Sequence, residues 1–240
     1  MSGCVSVLRE GEVWTLTLAR PEKRNALSAE LVEELLALVQ SGPDEGAKVL
    51  VFRGEGKNFS AGFDLSDIDR HGEADLVLRF IRVELLLQAV ASSPCLTVAL
   101  VHGRTFGAGV DLVAACRHRV ASADATFRMP GLKFGLVLGT RRFGDIVGPE
   151  QAAAVLETAA TFGAQEALAM RFLHETTQPA EWPAVVERAR SRAAALPAFS
   201  RKALYAALNT AQPDADLAAL VRSAARPGLK ERIMQYLGNS

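Results

Sequence analysis

Two glycine-containing turns place backbone N–H groups where they could bind an oxygen atom. The first turn follows a short apolar stretch and comprises residues 58–65, NFSAGFDL. The second follows another apolar stretch and comprises residues 102–112, HGRTFGAGVDL. Glycine lets the backbone approach a ligand closely, and unpaired N–H groups at a helix start attract negative charge. Two such groups on one oxygen would form an oxyanion hole, although glycine turns after strands commonly have only a structural role.

A carboxyl group in the second turn could transfer protons. Asp111 stands at the start of an apolar helical pattern, just after the glycines. It would need a pKa raised by burial to work well as an acid near neutral pH. The alternative is that an aspartate in the first turn of a helix only complements the helix dipole. We expect the other candidates, Asp67, Asp69 and His71, to be surface residues, and His102 to be structural.

The turns require a regular framework, which the hydrophobic pattern predicts. Alternating or continuous apolar runs predict four strands at residues 5–7, 13–18, 48–53 and 96–101. Ser28 has the N-cap position of one helix, and further helices are predicted at about residues 76–90 and 110–116. This alternation predicts an α/β core of ββα units.

Composition excludes several classes of protein. The 240 residues are 49% hydrophobic and 22% charged, enough to bury a core, and 27 basic residues balance 27 acidic ones. Without a basic excess, we expect no nucleic-acid partner. Cys4, Cys95 and Cys116 are too scattered for a disulfide framework or a metal site. The apolar stretches are too short for a membrane helix and no signal peptide is visible, so we expect a cytoplasmic protein without a membrane partner.

Five segments in order along the chain carry a family resemblance. They are residues 20–27 (RPEKRNAL), 59–65 (FSAGFDL), 102–111 (HGRTFGAGVD), 127–132 (FRMPGL) and 134–137 (FGLV). In these segments the sequence resembles the crotonase (enoyl-CoA hydratase/isomerase) superfamily. The resemblance implies an α/β fold of the ClpP/crotonase type with repeated ββα units over residues 1–196. It also implies a helical C-terminal region over residues 197–240 for packing or trimerisation, and a homotrimer or dimer of trimers.

The resemblance further implies a site that binds acyl-CoA thioesters, as in fatty acid metabolism. Coenzyme A would arrive as part of the substrate, with no permanently bound cofactor and no metal. The backbone N–H groups of Phe63 and Ala108 would hold the thioester oxygen while an enolate forms, and Asp111 would be the acid/base. The implied substrate-binding residues are Arg24, Ala26, Ala61, Asp64, Leu65, Pro130 and Gly131. For Arg24, a solvated surface charge is the alternative interpretation.

The sequence departs from the family at its second acid. Hydratases of the family use two glutamates, whereas this chain has Asp111 at the first position and Gly131 at the second. The main hypothesis is therefore an enzyme of the hydratase/isomerase type with Asp111 as its single acid/base. An inactive acyl-CoA-binding homologue and an acyl-CoA hydrolase are the alternatives. The loop after Gly135 is also shorter than usual, and we expect Lys133, Arg141 and Arg142 to form a solvated basic cluster.

Overall fold

The computed structural model describes residues 3–238, so residues 1, 2, 239 and 240 of the two predicted regions lie outside the described residues. Over this range the chain forms nine strands: β1 Val5–Glu10, β2 Val13–Leu18, β3 Val49–Gly54, β4 Leu96–Val101, β5 Arg104–Phe106, β6 His118–Ala121, β7 Thr126–Arg128, β8 Phe162–Gly163 and β9 Glu175–Thr176. It also forms ten α-helices: α1 Ala29–Ser41, α2 Glu73–Ser92, α3 Ala108–Ala115, α4 Thr140–Val147, α5 Pro149–Thr158, α6 Ala164–Ala169, α7 Trp182–Ala194, α8 Ala198–Ala207, α9 Pro213–Ala224 and α10 Leu229–Gly238.

The strands form a larger and a smaller sheet. The larger sheet has the order β1-β2-β3-β4-β6-β9, with β1 antiparallel to β2 and the later pairs parallel. The smaller sheet has the order β5-β7-β8, and its first two strands follow β4 and β6 along the chain. The successive units β1-β2-α1, β4-β5-α3 and β6-β7-α4 are the predicted ββα units.

Helices cover both faces of the larger sheet. On one face α7 packs on β3 and β4, where Val51, Val98 and Val185 are buried together. On the other face α1, α2 and α3 enclose the main hydrophobic core, to which Leu220 of α9 and Ile233 of α10 also belong. Parallel strands buried on both faces read as continuous apolar runs, which is why the β3 and β4 segments could be predicted from sequence.

The predicted elements agree with the observed ones in type. The hairpin of β1 and β2 and the strand β4 are present, and α1 begins as expected because the Ser28 hydroxyl accepts a hydrogen bond from the Leu31 N–H at 3.3 Å. α2 is longer than predicted at both ends, and α3 begins two residues earlier, at Ala108. In the described part of the chain, no helix combines the length and apolar character that a bilayer crossing requires.

Candidate active site

The predicted site residues lie around one cavity of about 480 Å³. Its wall includes the three predicted catalytic residues Phe63, Ala108 and Asp111. It also includes all seven predicted substrate-binding residues: Arg24, Ala26, Ala61, Asp64, Leu65, Pro130 and Gly131. The structure therefore brings together residues that are up to 107 positions apart in the sequence, from Arg24 to Gly131.

The turn after β3 is held by the Ser60 hydroxyl. This hydroxyl donates to the Asn25 carbonyl oxygen at 2.8 Å and accepts from the Gly62 N–H at 3.1 Å. On either side of Phe63, the Gly62 carbonyl accepts from the Leu27 N–H and the Asp64 N–H donates to the Leu27 carbonyl. Within residues 3–238 the Phe63 N–H itself donates to no protein group. It is therefore available to a ligand in the cavity.

The turn before α3 presents a second available N–H. Gly107, with a φ of +49°, donates its N–H to the Arg128 carbonyl at 2.8 Å and allows α3 to begin at Ala108. The first N–H groups of a helix have no partner within the helix. In the described part of the chain, the Ala108 N–H also has no hydrogen-bond acceptor outside the helix.

The two turns are in direct contact. The Phe106 N–H donates to the Ser60 carbonyl at 2.9 Å, which joins the turns side by side. A β-carbon at Gly62 would lie 2.4 Å from the Phe106 carbonyl oxygen and 3.2 Å from the Ala108 nitrogen. Only glycine permits this approach, and Gly62 also has a φ of +82°. Such a pair of N–H groups can bind an oxygen that carries negative charge.

Asp111 is the buried carboxyl group of the cavity. Its residue surface is 3% exposed, and Oδ1 has no hydrogen-bond partner among the described residues. Burial raises the pKa of Asp111 well above its usual range, the nearby Arg142 guanidinium opposes this, and the Glu84 carboxylate adds to it. A carboxyl with a raised pKa is both a better base and a more available acid near neutral pH.

The remaining carboxyl groups of the cavity wall are not equivalent to Asp111. Glu22 is exposed on a 3₁₀ turn at the cavity edge. Asp64 accepts from the Ser66 N–H and hydroxyl on one oxygen and from Arg20 Nη1 at 2.8 Å on the other. Burial favours its protonated form, but the hydrogen bonds from Ser66 and Arg20 outweigh it and lower the pKa of Asp64. Asp64 is thus a charged group that holds its loop.

Gly131 contributes only backbone to the cavity wall. It begins a 3₁₀ turn after Pro130, and its carbonyl accepts from the Leu136 N–H at 2.9 Å. A β-carbon there would lie 3.2 Å from the Leu136 carbonyl oxygen, so the short loop is packed closely against this position. Side chains of Leu136 and Leu138 line the cavity beside it. No acid stands at this position.

The Phe63 ring separates the cavity from a smaller one. The ring stacks on Phe80 with 4.0 Å between centroids, and the Arg79 guanidinium lies 4.4 Å from its centre. Phe63 also lines a cavity of about 140 Å³ between α1 and α2, with Val32 and Val83 in its wall. The ring is therefore a partition between two partly apolar spaces.

The predicted solvated basic cluster is wrong for two of its members. Arg142 is 8% exposed, and its Nη2 lies 3.2 Å from Glu84 Oε1 in a buried ion pair. Arg141 pairs with Asp216. Lys133 is exposed, although its Nζ donates to the Glu157 carbonyl. Helix α4 packs on α3, and Arg142 faces the protein interior, whereas Arg141 is only partly buried.

Sequence reasoning missed two groups behind Asp111. Glu84 lies on the buried face of α2 with Phe80 and Leu87. A charged residue in the apolar stripe of a predicted helix could have pointed to it. The second group is Gly139, directly before α4, and nothing in the sequence around it indicated a role at the site. The α10 residues Tyr236 and Leu237 also line the cavity and were not predicted.

Other predicted residues lie at the edge of the cavity or outside it. Arg24 is exposed at the cavity edge, with a φ of +54°, and its carbonyl accepts from the Ala61 N–H. His102 contacts the Gly56 carbonyl through Nε2 at 2.9 Å, and Asp67 and Asp69 are exposed, as expected. Between residues 3 and 238 there is no group of three or more acidic, histidine or cysteine side chains able to hold a metal ion.

Comparison with known proteins identifies relatives over most of the chain. The family model described as Enoyl-CoA hydratase/isomerase matches residues 9–231. A probable enoyl-CoA hydratase of Mycobacterium tuberculosis is 36% identical over 167 residues, which cover 68% of this chain and 67% of that protein.

Solved structures extend the similarity to the whole fold. A structure assigned as an enoyl-CoA hydratase/isomerase of Bordetella parapertussis is 54% identical, with a TM-score of 0.97, and covers 98% of this chain and 99% of its own. A Thermobifida fusca relative assigned as an enoyl-CoA hydratase was solved with CoA and with acetoacetyl-CoA. Its CoA complex is 27% identical, with a TM-score of 0.77, over 99% of this chain and 95% of its own.

Proposed function

The chain belongs to the enoyl-CoA hydratase/isomerase family, with the crotonase fold, and on that premise we propose that it moves a proton within acyl-CoA thioesters, with Asp111 as the single acid/base. One observation carries this proposal. The N–H groups of Phe63 and Ala108, which have no partner among the described residues, line the same cavity as the buried carboxyl of Asp111. The N–H groups can stabilise negative charge that develops on a thioester oxygen. The Asp111 carboxyl can accept a proton from the neighbouring carbon.

Coenzyme A binding rests on the relatives and on the cavity edge. The Thermobifida fusca relative binds CoA and acetoacetyl-CoA. In this chain, Arg24 provides a cation at the edge of the cavity. The cavity wall beside it includes the small side chains of Ala26 and Ala61 and the apolar side chain of Leu65. We assign these residues to the CoA moiety, which enters and leaves with the acyl group, and no resident cofactor takes part.

The proposed reaction needs one proton carrier and no co-reactant. The Asp111 carboxylate removes a proton from the carbon next to the thioester carbonyl of a 3-enoyl ester, and the electron pair moves onto the carbonyl oxygen. The N–H groups of Phe63 and Ala108 stabilise that oxygen as charge develops, an effect worth about 3–4 kcal/mol per donor. Protonated Asp111 then returns its proton two carbons further along, and the double bond moves next to the carbonyl.

Gly131 favours this shift of the double bond over addition of water. Hydration by two carboxyl groups needs a second acid, and the position after Pro130 has only backbone packed against Leu136. Isomerisation needs only a single group that takes a proton from one carbon and delivers a proton to another. The absence of a second acid at position 131 also favours the second candidate function, a protein that binds acyl-CoA without converting it.

Deuterium exchange distinguishes the candidates. Saturated and unsaturated acyl-CoA esters are incubated with the protein in deuterated water and analysed by mass spectrometry. Under the proposal, esters gain deuterium, and Asp111→Asn abolishes the gain, whereas Asp44→Asn, an exposed change outside the cavity wall, leaves it. Esters that bind but neither gain deuterium nor shift their double bond would show a binding protein. Free CoA and acid among the products would show a hydrolase.

Assembly into a homotrimer or a dimer of trimers is part of the proposal. The support is a set of exposed apolar side chains on and just after α8: Phe199 is 83% exposed, Leu204 41% and Leu208 71%. Burial of such side chains against another subunit would remove their apolar surface from water. Light scattering that gives the mass of a monomer would contradict this proposal. Phe199→Ser should weaken the assembly.

A cytoplasmic location is also proposed. All three cysteines, Cys4, Cys95 and Cys116, are free thiols, and the last two are buried. Unpaired thiols are the usual state of proteins in a reducing compartment. Fractionation of cells that express the full chain would test this, and recovery outside the cytoplasm would contradict it.

A further inference from the structure

Asp111 and Gly139 occupy adjoining space at the wall of the cavity. Gly139 directly precedes α4 and has a φ of +62°. A β-carbon built on it would lie 1.9 Å from Asp111 Oδ1 and 2.5 Å from Asp111 Cγ. Real carbon atoms do not approach oxygen so closely, so the Asp111 carboxyl stands in the volume that any side chain at position 139 would need.

The carboxyl also stands where α4 lacks a cap. The N-cap position of a helix usually carries a polar side chain that accepts from the first N–H groups. Gly139 holds this position without a side chain, and α4 has no side-chain cap. Instead, the buried Oδ1 of Asp111, from another helix, lies where the side chain of this N-cap residue would be, and among the described residues it has no hydrogen-bond partner. A helix N-terminus stabilises negative charge.

Two further charged groups act on this carboxyl. From α4 itself, Arg142 opposes the protonation of Asp111, and from α2 the buried Glu84 favours it. The two are paired with each other and act on Asp111 in opposite directions. The contact with Gly139 is steric and depends on neither charge.

We propose that Gly139 is a positioning residue for Asp111: because it lacks a side chain, it admits the Asp111 carboxyl to the N-terminus of α4 and so fixes the proton carrier within the cavity. The catalytic meaning of this inference rests on the proposed function, whereas the contact itself does not. Asp111 touches the reacting carbon, and Gly139 acts only through Asp111.

Gly139→Ala tests the positioning. The methyl group displaces the carboxyl, and a displacement of about 1 Å at a reacting group costs roughly 10- to 100-fold in rate. We expect deuterium incorporation to fall by that factor, with little change in the dissociation constant of a saturated acyl-CoA. The pH dependence of the remaining exchange should move to higher pH, because the displaced carboxylate loses the stabilisation by the α4 N-terminus.

Gly135→Ala is the matched control. Gly135 lies four residues earlier in the same loop, also in the left-handed region with a φ of +77°, and a β-carbon there would meet only Arg232 Nε, at an ordinary 3.6 Å. The variant thus carries the same backbone strain without the Asp111 contact. Equal exchange rates in Gly135→Ala and Gly139→Ala would overturn the proposal.

A double-mutant cycle tests the contact without any activity. In the Asp111→Ala background the carboxyl is absent, so Gly139→Ala should lower the Tm by less than it does in the wild-type background. An equal loss of Tm in both backgrounds would refute the contact. If the wild type neither exchanges deuterium nor shifts a double bond but the Tm values are coupled, the proposed function fails and the positioning contact stands.

Discussion

The Ser60 hydroxyl donates a 2.8 Å hydrogen bond to the Asn25 carbonyl oxygen, across 35 residues of sequence. The bond joins the segment before α1 to the turn that presents the Phe63 N–H. Asn25 secures its own side of the contact, because its side-chain amide donates to the carbonyls of Glu55 and Asn58. The position of one proposed oxyanion donor thus depends on a polar network built around two fully buried side chains, Asn25 and Ser60.

Ser60→Ala should therefore lower both the free energy of unfolding and the rate of deuterium exchange into acyl-CoA esters. The change leaves the buried Gly62 N–H and Asn25 carbonyl without this partner, which we expect to lower the free energy of unfolding by about 1–3 kcal/mol. Urea denaturation measures this. Ser6→Ala, an exposed change in β1, is the control and should stay within about 0.5 kcal/mol. A Ser60 variant as stable as the control would contradict the role of the network.

Glu84→Gln should destabilise the protein because it leaves the buried Arg142 cation without its carboxylate partner. Breaking a buried ion pair costs about 3–5 kcal/mol, and the lower end is expected here because Asp216 lies 4.0 Å from Arg142. Glu33→Gln is the control, since Glu33 is half-exposed and its pair with Arg82 lies at the surface. That change should cost less than about 1 kcal/mol. Similar losses in the two variants would show that the Arg142 pair is not desolvated.

Asp111 should make the protein less stable as the pH rises above about 4. Below the ordinary aspartate pKa, about 3.9, both folded and unfolded states hold the proton, so Asp111 has no effect on the pH dependence. Because burial raises its folded pKa, the unfolded state releases the proton first as the pH rises. The free energy of unfolding then falls by about 1.4 kcal/mol per pH unit until the folded pKa is reached.

Asp111→Asn removes this contribution. The free energy of unfolding of Asp111→Asn minus that of the wild type should increase from about pH 4 up to the raised pKa of Asp111 in the folded protein. Above that pKa the difference should stay constant. Urea denaturation over a pH series measures the difference, and Asp44→Asn corrects for the loss of one charge at an exposed position. A difference that does not vary with pH would show that Asp111 ionises as freely in the folded state as in the unfolded one.

Phe63→Ala should change the preference for acyl groups. The variant keeps its main-chain N–H but loses the ring that separates the main cavity from the smaller one between α1 and α2. We expect the ratio of exchange rates for longer over shorter acyl chains to rise several-fold. Competition between esters of different length in one mixture measures the ratio. Leu8→Ala, which removes an exposed apolar side chain of β1 outside both cavities, should leave it unaltered.

Local features of this protein could be predicted from its sequence alone. Ser28 signals the start of α1, and the apolar runs of β3 and β4 signal buried parallel strands, because capping and strand burial depend on residue types within a few positions. The two glycine turns were visible for the same reason, whereas the assignment of Phe63 and Ala108 as the N–H donors came from the family resemblance.

Contacts between distant segments were decided only by the tertiary structure. The Arg142–Glu84 pair joins residues 58 positions apart, and the arginine that the sequence suggested was solvated is buried once α4 packs on α3. Gly139 acquires its role only because Asp111 arrives from another helix. Whether a charge is hydrated or paired, and how strongly its pKa moves, depends on which surfaces exclude water from it, and that is a property of packing rather than of residue order.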